Sequence, residues 1–192
     1  MVGKLFVVSA CSGAGKTTLV TEVINRLEGK YNISRVITYT SKTPRVNDVD
    51  GKDYYFISSQ EFELRIKGGF FLEWSAHYGN YYGSPVSLRE DLACGKSFIV
   101  ITDLKGAEAL AHCMQEAVLI WIYVQDLNTL KTRLFKRNTE NIEQIKERLR
   151  LAQQELDNQL LVNLFKHNVL NDDIEKSVQE LLSIITLELK NS

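Results

Sequence analysis

The residues best suited to chemistry form a glycine-rich stretch near the start of the chain, Ala10-Cys11-Ser12-Gly13-Ala14-Gly15-Lys16-Thr17-Thr18. An apolar run precedes this stretch, and apolar residues at helical spacing follow it through residue 27. A strand, a glycine-rich turn and a helix in this order are what a phosphate-binding loop requires. Glycines let main-chain N–H groups approach a polyphosphate, and the positive end of the helix faces the same anion. We therefore predict a nucleoside triphosphate site.

Two side chains of this loop have specific expected roles. Lys16 is expected to reach the β- and γ-phosphates, and the hydroxyl of Thr17 is expected to bind Mg²⁺. Ala10 stands where the strict pattern has its first glycine, which weakens the match slightly. The alternative is a glycine-rich turn that only joins a strand to a helix.

Composition limits the class of protein. A chain of 192 residues, 44% hydrophobic and 24% charged, suits one soluble globular domain. A net charge of −1 argues against a general binder of nucleic acid or membrane surfaces. We find neither an apolar run near the ~20 residues of a membrane span nor a secretory signal pattern. The cysteines at 11, 94 and 113 suggest neither a disulfide framework nor a zinc site, which fits a reducing cytoplasm.

Apolar runs alternate with amphipathic stretches along most of the chain. β-Branched, aromatic and apolar runs predict strands near residues 5–8, 36–40, 54–57, 70–78, 80–83, 98–103, 117–124 and 168–170. The runs at 98–103 and 117–124 are apolar almost throughout, which suits parallel strands covered on both faces. We expect a three-layer α/β fold with a β-rich, aromatic-rich insertion at 36–84 and a basic helical segment near 127–150.

Capping residues predict where several helices begin. Ser58 and Glu61 form a capping box that starts a helix ending before Gly68-Gly69. Ser84-Pro85 predicts a cap followed by proline at the first helical position, with Gly95 closing that helix. Asp126 is expected to cap a helix to about residue 136, and a break is predicted at 137–141. A long helix with apolar residues at 142, 145, 149, 152 and 156 follows, and a closing helix spans 174–189.

Further motifs resemble the guanylate kinases, in order and at that family's spacing, from about residue 4 to residue 188. Those that resemble the region binding guanosine monophosphate (GMP) are Thr43-Pro44-Arg45, Asp50-Gly51-Lys52-Asp53-Tyr54-Tyr55-Phe56, Phe71-Leu72-Glu73-Trp74 and Gly79-Asn80-Tyr81-Tyr82-Gly83-Ser84. Arg133, Arg137 and Arg148 resemble arginines of the family's lid and the helix after it. Val169-Leu170-Asn171-Asp172 resembles the strand end on the adenine side.

The resemblance implies a three-layer P-loop kinase fold with a central parallel sheet, a β-rich GMP-binding insertion and a helical lid. It implies one domain over 1–192, with a core at 1–35, 96–126 and 151–192, a GMP-binding region at 36–95 and a lid at 127–150. The implied activity is phosphorylation of GMP, and of dGMP, by ATP with Mg²⁺, in cytoplasmic purine nucleotide metabolism. We expect a monomer or homodimer with no nucleic-acid or membrane partner.

The acceptor nucleotide is expected to contact Thr38, Lys42, Arg45, Tyr54, Glu73, Tyr82, Ser84 and Asp103. Guanine presents two adjacent N–H donors that one carboxylate accepts together, and this is the role expected for Glu73. Adenine would meet that carboxylate with an acceptor and be rejected. Ser84 is expected to donate to guanine O6, and Asp103 to share the amine. The alternative is that Glu73 faces solvent on an edge strand.

The 5′-phosphate of the acceptor needs cations and hydroxyl donors. Arg45 offers a bidentate guanidinium, while Tyr54 and Tyr82 offer phenolic hydroxyls, although core packing is the alternative for each tyrosine. Lys42 stands where the family usually has arginine. An ammonium supplies charge without the planar fork, so we expect it to orient the phosphate less well.

ATP is expected to contact Ser12, Gly13, Ala14, Gly15, Lys16, Thr17, Thr18, Arg133, Arg137 and Asn171. The attacking phosphate oxygen is already ionised, so positioning and charge stabilisation suffice without a general base. The cations expected to be catalytic are Lys16, Arg45, Arg133, Arg137 and Arg148. The histidines at 77, 112 and 167 are expected to be structural or on the surface. Cys11, beside a helix N-terminus, is either a reactive thiol or, more simply, a small buried side chain.

Three further positions depart from the family pattern. Ile101 replaces a usual acid, which leaves Asp103 as the only carboxylate at that strand end; Lys105 replaces a glutamine, and Asn138 a glycine. Two other classes remain open at this stage. One is a kinase for another nucleoside monophosphate, and the other is a catalytically silent guanylate-kinase-like interaction module. The intact phosphate loop and Glu73 favour the active enzyme over both.

Overall fold

A computed structural model describes residues 2–11, 13–77, 79–136, 142–161 and 164–191. Its strands are β1 Leu5–Ala10, β2 Ile33–Arg35, β3 Tyr39–Thr40, β4 Tyr55–Phe56, β5 Phe71–His77, β6 Asn80–Pro85, β7 Ser97–Thr102, β8 Val118–Tyr123 and β9 His167–Leu170. Its helices are α1 Lys16–Leu27, α2 Ser59–Lys67, α3 Leu88–Ala93, α4 Leu104–Cys113, α5 Leu127–Lys136, α6 Ile142–Leu161 and α7 Ile174–Lys190.

The main sheet is parallel, with strand order β2-β7-β1-β8-β9. Strand β1 lies at its centre, and all of its residues are buried. Its side chains alternate between two cores: Phe6 and Val8 pack with α1 and α7, whereas Leu5 and Val7 pack with α3 and α4. Helices on both faces of a parallel sheet confirm the predicted three-layer α/β fold.

A second, smaller sheet has the order β4-β3-β6-β5. Strands β5 and β6 form an antiparallel hairpin whose turn includes Gly79, where φ is 72°. The register sets Glu73 opposite Ser84 and Ser75 opposite Tyr82. Helix α4, which follows β7 of the main sheet, packs against β5. This contact joins the two sheets beside the carboxyl end of β7.

Two sequence predictions about the insertion were wrong. Of the strand expected at 36–40, only Tyr39 and Thr40 form a strand, β3 in the second sheet, because β2 of the main sheet ends before this range at Arg35. The predicted helix start at Ser84-Pro85 is instead the end of β6. Ser84 is fully buried because it pairs with β5, and the helix begins only at Leu88.

Most helix predictions were confirmed. The Ser58 hydroxyl accepts the main-chain N–H of Glu61 at 3.1 Å, although the Glu61 carboxylate accepts from Arg65 rather than closing the capping box. Asp126 likewise caps α5. On α6, Ile145 is buried but Ile142 is 62% exposed, so the apolar stripe begins later than expected. The predicted break at 137–141 lies outside the described residues, and within the described ranges the helices are too short or too polar to span a membrane.

Candidate active site

The turn between β1 and α1 has the conformation expected of a phosphate-binding loop. Gly13 and Gly15 have φ values of 90° and 95°, a left-handed geometry that side chains other than glycine rarely adopt. Lys16 is the first residue of α1, and its ammonium donates to the main-chain carbonyl of Ala10. The backbone of the loop is therefore folded around the lysine expected to bind phosphate. Ser12 lies outside the described residues.

The end of β9 is tied directly to this loop. The side-chain amide of Asn171 donates to the carbonyl of Ala14 at 2.6 Å. Arg133 of α5 donates to the carbonyl of Asn171 at 2.7 Å and to that of Ala14 at 3.3 Å. Asn171 is buried, and its Oδ1 has no partner in the structure. Two residues expected to bind ATP thus meet at the loop, whereas Arg137 lies outside the described residues.

One cleft lies between the phosphate loop, the second sheet and the carboxyl end of β7. Predicted site residues that line it are Gly13, Ala14, Gly15, Lys16, Thr17, Thr38, Lys42, Arg45, Tyr54, Glu73, Tyr82, Asp103 and Arg148. Thr18, Ser84, Arg133 and Asn171 are described but lie outside this lining. The structure therefore brings together seven of the eight predicted acceptor contacts and five of the ten predicted ATP contacts, which are separated by long stretches of chain.

Glu73 is the most unusual acid of the cleft. Its side chain is buried, and its Oε1 accepts from the Ser84 hydroxyl at 2.8 Å. Its Oε2 is also buried and has no partner. Burial raises the pKa of Glu73 to about 7; the Ser84 hydrogen bond opposes this shift and the nearby Asp103 adds to it. The solvent-facing alternative for Glu73 is therefore wrong, and the orphaned oxygen needs a donor that the protein does not supply.

Asp103, by contrast, accepts a hydrogen bond from the protein at each of its carboxylate oxygens. It caps α4, because its Oδ1 accepts the Gly106 N–H at 2.8 Å, while its Oδ2 accepts the Ser75 hydroxyl at 2.7 Å. Ser75 was not predicted as a site residue. Strand alternation would have found it, because residues two apart on β5 share one face and Glu73 already pointed to the cleft.

The side chains expected to hold the acceptor phosphate with their cations and hydroxyls all line the cleft. The rings of Tyr54 and Tyr82 meet edge to face with centroids 6.1 Å apart. Burial raises the pKa of Tyr54 and raises that of Tyr82 to about 12, so both remain hydroxyl donors at neutral pH. Lys42 and the exposed Arg45 flank them in the same cleft. Each tyrosine therefore both packs and faces the cleft.

His77 was expected to be structural or on the surface, but it lines the cleft. Burial is the largest cause lowering its pKa; Lys16, Arg148 and Lys105 lower it further, and Asp103 opposes them. Its spacing of four residues from Glu73 on one strand is the pattern that would have revealed it. The lining also includes Cys11, Gly83, Thr102 and the departure Ile101, whereas Lys105 is exposed.

The residues present fit a Mg²⁺ ion held mainly by substrate. The described part of the chain contains no cluster of three or more His, Cys, Asp or Glu side chains suited to a metal. Thr17, the residue expected to bind Mg²⁺, lines the cleft beside Lys16. This suits Mg²⁺, which keeps several waters and usually takes one or two protein ligands together with phosphate oxygens.

Comparison with known proteins agrees with this geometry. The model of the guanylate kinase family matches residues 2–188. The chain is 38% identical to the guanylate kinase of Carboxydothermus hydrogenoformans over 187 residues, covering 97% of this chain and 89% of that protein. It is also 38% identical to that of Protochlamydia amoebophila over 189 residues, covering 97% and 91%.

A solved structure extends the likeness to three dimensions. The crystal structure of guanylate kinase from Anaplasma phagocytophilum superposes with a TM-score of 0.79 at 25% sequence identity. The match covers 97% of this chain and 86% of the other. With a family match that spans nearly all of the sequence and a common fold, the chain belongs to the guanylate kinase family of phosphotransferase enzymes.

Proposed function

We propose that this protein transfers the γ-phosphoryl group of ATP to GMP, giving ADP and GDP, and that it also accepts dGMP. One observation carries the choice of acceptor: Glu73, whose Oε2 is buried without a partner, lines the same cleft as Lys16 of the phosphate loop. A triphosphate site and a buried, unsatisfied base acceptor in one cleft suit a kinase that acts on a nucleotide. Family membership supports the same activity.

The base is recognised by the hydrogen bonds that the protein itself does not supply. Guanine N1–H and its exocyclic amine would donate to Glu73, satisfying Oε2. Adenine and the pyrimidines lack this adjacent pair of donors, so they would leave a buried carboxylate oxygen unpaired. Ser84 donates its one hydroxyl hydrogen to Glu73 and so fixes the carboxylate; the donation to guanine O6 expected from the sequence would require that hydrogen bond to be exchanged.

Transfer rests on positioning and on positive charge. Lys16, Arg45 and Arg148 line one cleft, and in this proposal their charges would stabilise the phosphoryl group as it passes from the donor to the acceptor phosphate. Arg133, Asn171 and the predicted Arg137 would act on the ATP side. Mg²⁺, held by Thr17 and the phosphates, would supply further charge neutralisation. An ionised phosphate oxygen attacks in line, so no side chain needs to remove a proton.

The domain division is part of this proposal. Residues 1–35, 96–126 and 151–192 would form the ATP-binding core, 36–95 the GMP-binding region and 127–150 the lid. Closure of the lid over both substrates would exclude water, which otherwise competes with GMP for the phosphoryl group.

A coupled assay of ADP release tests the function directly. GMP and dGMP should stimulate ADP release strongly, and AMP, CMP and UMP should do so at least a hundredfold less well. Equal stimulation by AMP would overturn the role given to Glu73. If no acceptor stimulates ADP release, the interaction-module alternative is the better account. Comparable rates with GMP and dGMP would place recognition in the base and phosphate, whereas rejection of dGMP would contradict its inclusion among the substrates.

A further inference from the structure

A single carboxylate, that of Asp48, contacts both Lys42 and Arg45, the two cationic residues expected to bind the acceptor phosphate. Asp48 Oδ2 accepts the Lys42 ammonium at 2.7 Å and the main-chain N–H of Arg45 at 2.9 Å. The main-chain N–H of Asp48 donates back to the carbonyl of Arg45 at 3.0 Å. Asp48 thus closes a tight turn around Arg45 while it holds the end of the Lys42 side chain.

The Lys42–Asp48 ion pair is largely shielded from solvent and is flanked by aromatic rings. The side chains of Lys42 and Asp48 are only 15% and 18% exposed. The ammonium also lies over the rings of Tyr54 and Phe56, at 4.9 and 5.6 Å from their centroids. Burial alone would raise the pKa of Asp48, but the hydrogen bonds from Lys42 and the Arg45 N–H leave it below its usual value. The Asp48 carboxyl is therefore ionised at neutral pH.

Asp48 lies behind Lys42 as seen from the cleft. Lys42, Arg45 and Tyr54 line both the cleft and an adjoining cavity, while Asp48 lines only the adjoining cavity. A carboxylate in that position cannot bind a phosphate itself, because like charges repel. It can instead fix the positions of the Lys42 ammonium and of the turn at Arg45.

We propose that Asp48 is a positioning residue for the acceptor phosphate, acting through Lys42 and the turn at Arg45. This inference rests on the proposed function, since it requires a nucleoside monophosphate in the cleft. The flexible lysine stem would otherwise distribute its ammonium among many rotamers. Held by Asp48 and the two rings, the ammonium is already placed when the phosphate arrives, which lowers the entropy lost on binding.

Positioning and simple electrostatics predict effects of opposite sign for Asp48→Asn. The asparagine keeps an acceptor for the Arg45 N–H but loses the charge that holds Lys42. If Asp48 positions the ammonium, the Kd for GMP should rise about five- to tenfold. If Asp48 is merely a nearby negative charge, its removal should tighten the binding of a phosphate dianion.

The experiment measures Kd values for GMP and for guanosine by titration calorimetry, together with KM for ATP. Asp48→Asn should weaken GMP binding but leave guanosine binding and KM for ATP within about twofold of the wild type. Asp50→Asn is the matched control, because Asp50 lies in the same loop and its carboxylate also accepts a main-chain N–H, that of Phe56 at 2.9 Å. That control should bind GMP as the wild type does.

A double-mutant cycle separates positioning from a general loss of loop structure. In a Lys42→Met background, Asp48→Asn should no longer weaken GMP binding, because the group it positions is absent. Unchanged or tighter GMP binding by the single variant, or equal weakening of guanosine binding, would overturn the proposal. Wild-type protein that fails to bind GMP at all would instead overturn the proposed function.

Discussion

Replacing Glu73 with glutamine should stabilise the protein at alkaline pH. The Glu73 carboxyl is buried, and its pKa is raised to about 7 from the usual 4.5. A raised pKa means that the folded state holds the proton more tightly than the unfolded chain does. The stabilisation from that proton is complete below pH 4.5 and is lost as the pH rises through 7. Glutamine is neutral throughout, so it avoids this loss.

The magnitude follows from the size of the shift. A difference of about 2.5 pKa units corresponds to about 3 kcal/mol lost by the wild type above pH 8, and to about 1 kcal/mol lost at pH 5. The glutamine amide adds its own cost, about 1–3 kcal/mol if Nε2 finds no acceptor beside Gly106. That cost is independent of pH. The stability change caused by Glu73→Gln should therefore be about 2 kcal/mol more favourable at pH 8.5 than at pH 5.

Urea denaturation at both pH values measures this difference, with Glu180→Gln as the control. Glu180 is an exposed glutamate on α7, and its neutralisation should change stability by a similar small amount at either pH. Only the difference between the two pH values is interpreted, so the pH-independent cost of the amide cancels. The same variant should lose discrimination between GMP and AMP, because a glutamine amide offers one acceptor where the carboxylate offers two.

Equal effects of Glu73→Gln at the two pH values would refute this reasoning. That result would mean that the carboxylate is already hydrated or paired in solution, so its pKa is close to that in the unfolded chain. Retained GMP selectivity in the variant would separately show that the base is recognised by other groups. A stable variant without selectivity is the combination that the buried, unsatisfied oxygen predicts.

Three more substitutions test other parts of the site. Lys16→Ala should reduce kcat by at least a hundredfold while calorimetry still detects GMP binding; loss of GMP binding with turnover intact would remove Lys16 from the ATP side. Gly106→Ala would place a methyl group against the Thr102 hydroxyl and 3.3 Å from the orphaned Glu73 oxygen, so we expect about 1–2 kcal/mol of destabilisation and a higher KM for GMP. Unaltered urea midpoint and KM would contradict this. Asn171→Ala removes an amide that donates to the loop backbone, so KM for ATP should rise severalfold while KM for GMP does not; the reverse pattern would exclude a role on the ATP side.

Local sequence patterns were enough to predict the core of the fold. The central strands are continuous apolar runs, and Asp126 and Ser58 occupy cap positions that the structure confirms. These features depend on neighbours in the sequence, and so sequence reveals them. The phosphate loop belongs to the same class, because its chemistry lies within a few consecutive residues.

Predictions failed where tertiary pairing outweighed local preference. Ser84-Pro85 has the composition of a helix start, yet pairing with β5 makes it a strand end and leaves the Ser84 hydroxyl beside Glu73. The apolar run at 36–40 looks like one strand, but it passes between two sheets. The strand partners on either side of residues 36–38 are distant in the chain, so no local pattern could indicate them, whereas Ser84 pairs within the nearby β5–β6 hairpin.

Hydrogen bonds between side chains also explain which residues were missed. Ser75 matters because its hydroxyl reaches Asp103, and Asp48 because its carboxylate reaches Lys42. Neither residue type is conspicuous by itself, although alternation along β5 places Ser75 on the same face as Glu73. His77 was given a structural role because an isolated histidine usually has one, and only the direction of β5 brings it to the cleft.

Glu73 and Asp103, which the sequence predicts to recognise the base together, differ in the hydrogen bonds that each already accepts from the protein. Asp103 is oriented by two donors from the protein, the Ser75 hydroxyl and the Gly106 N–H, so each of its carboxylate oxygens already accepts a hydrogen bond. Glu73 receives a side-chain donor at one oxygen only, and the other is buried without one. The free energy that a ligand gains by pairing a buried polar atom is largest where the protein has left that atom unpaired. Base selectivity should therefore depend chiefly on Glu73. Asp103 fixes the start of α4 and so keeps Gly106 close to Glu73 Oε2, the oxygen with which guanine would pair.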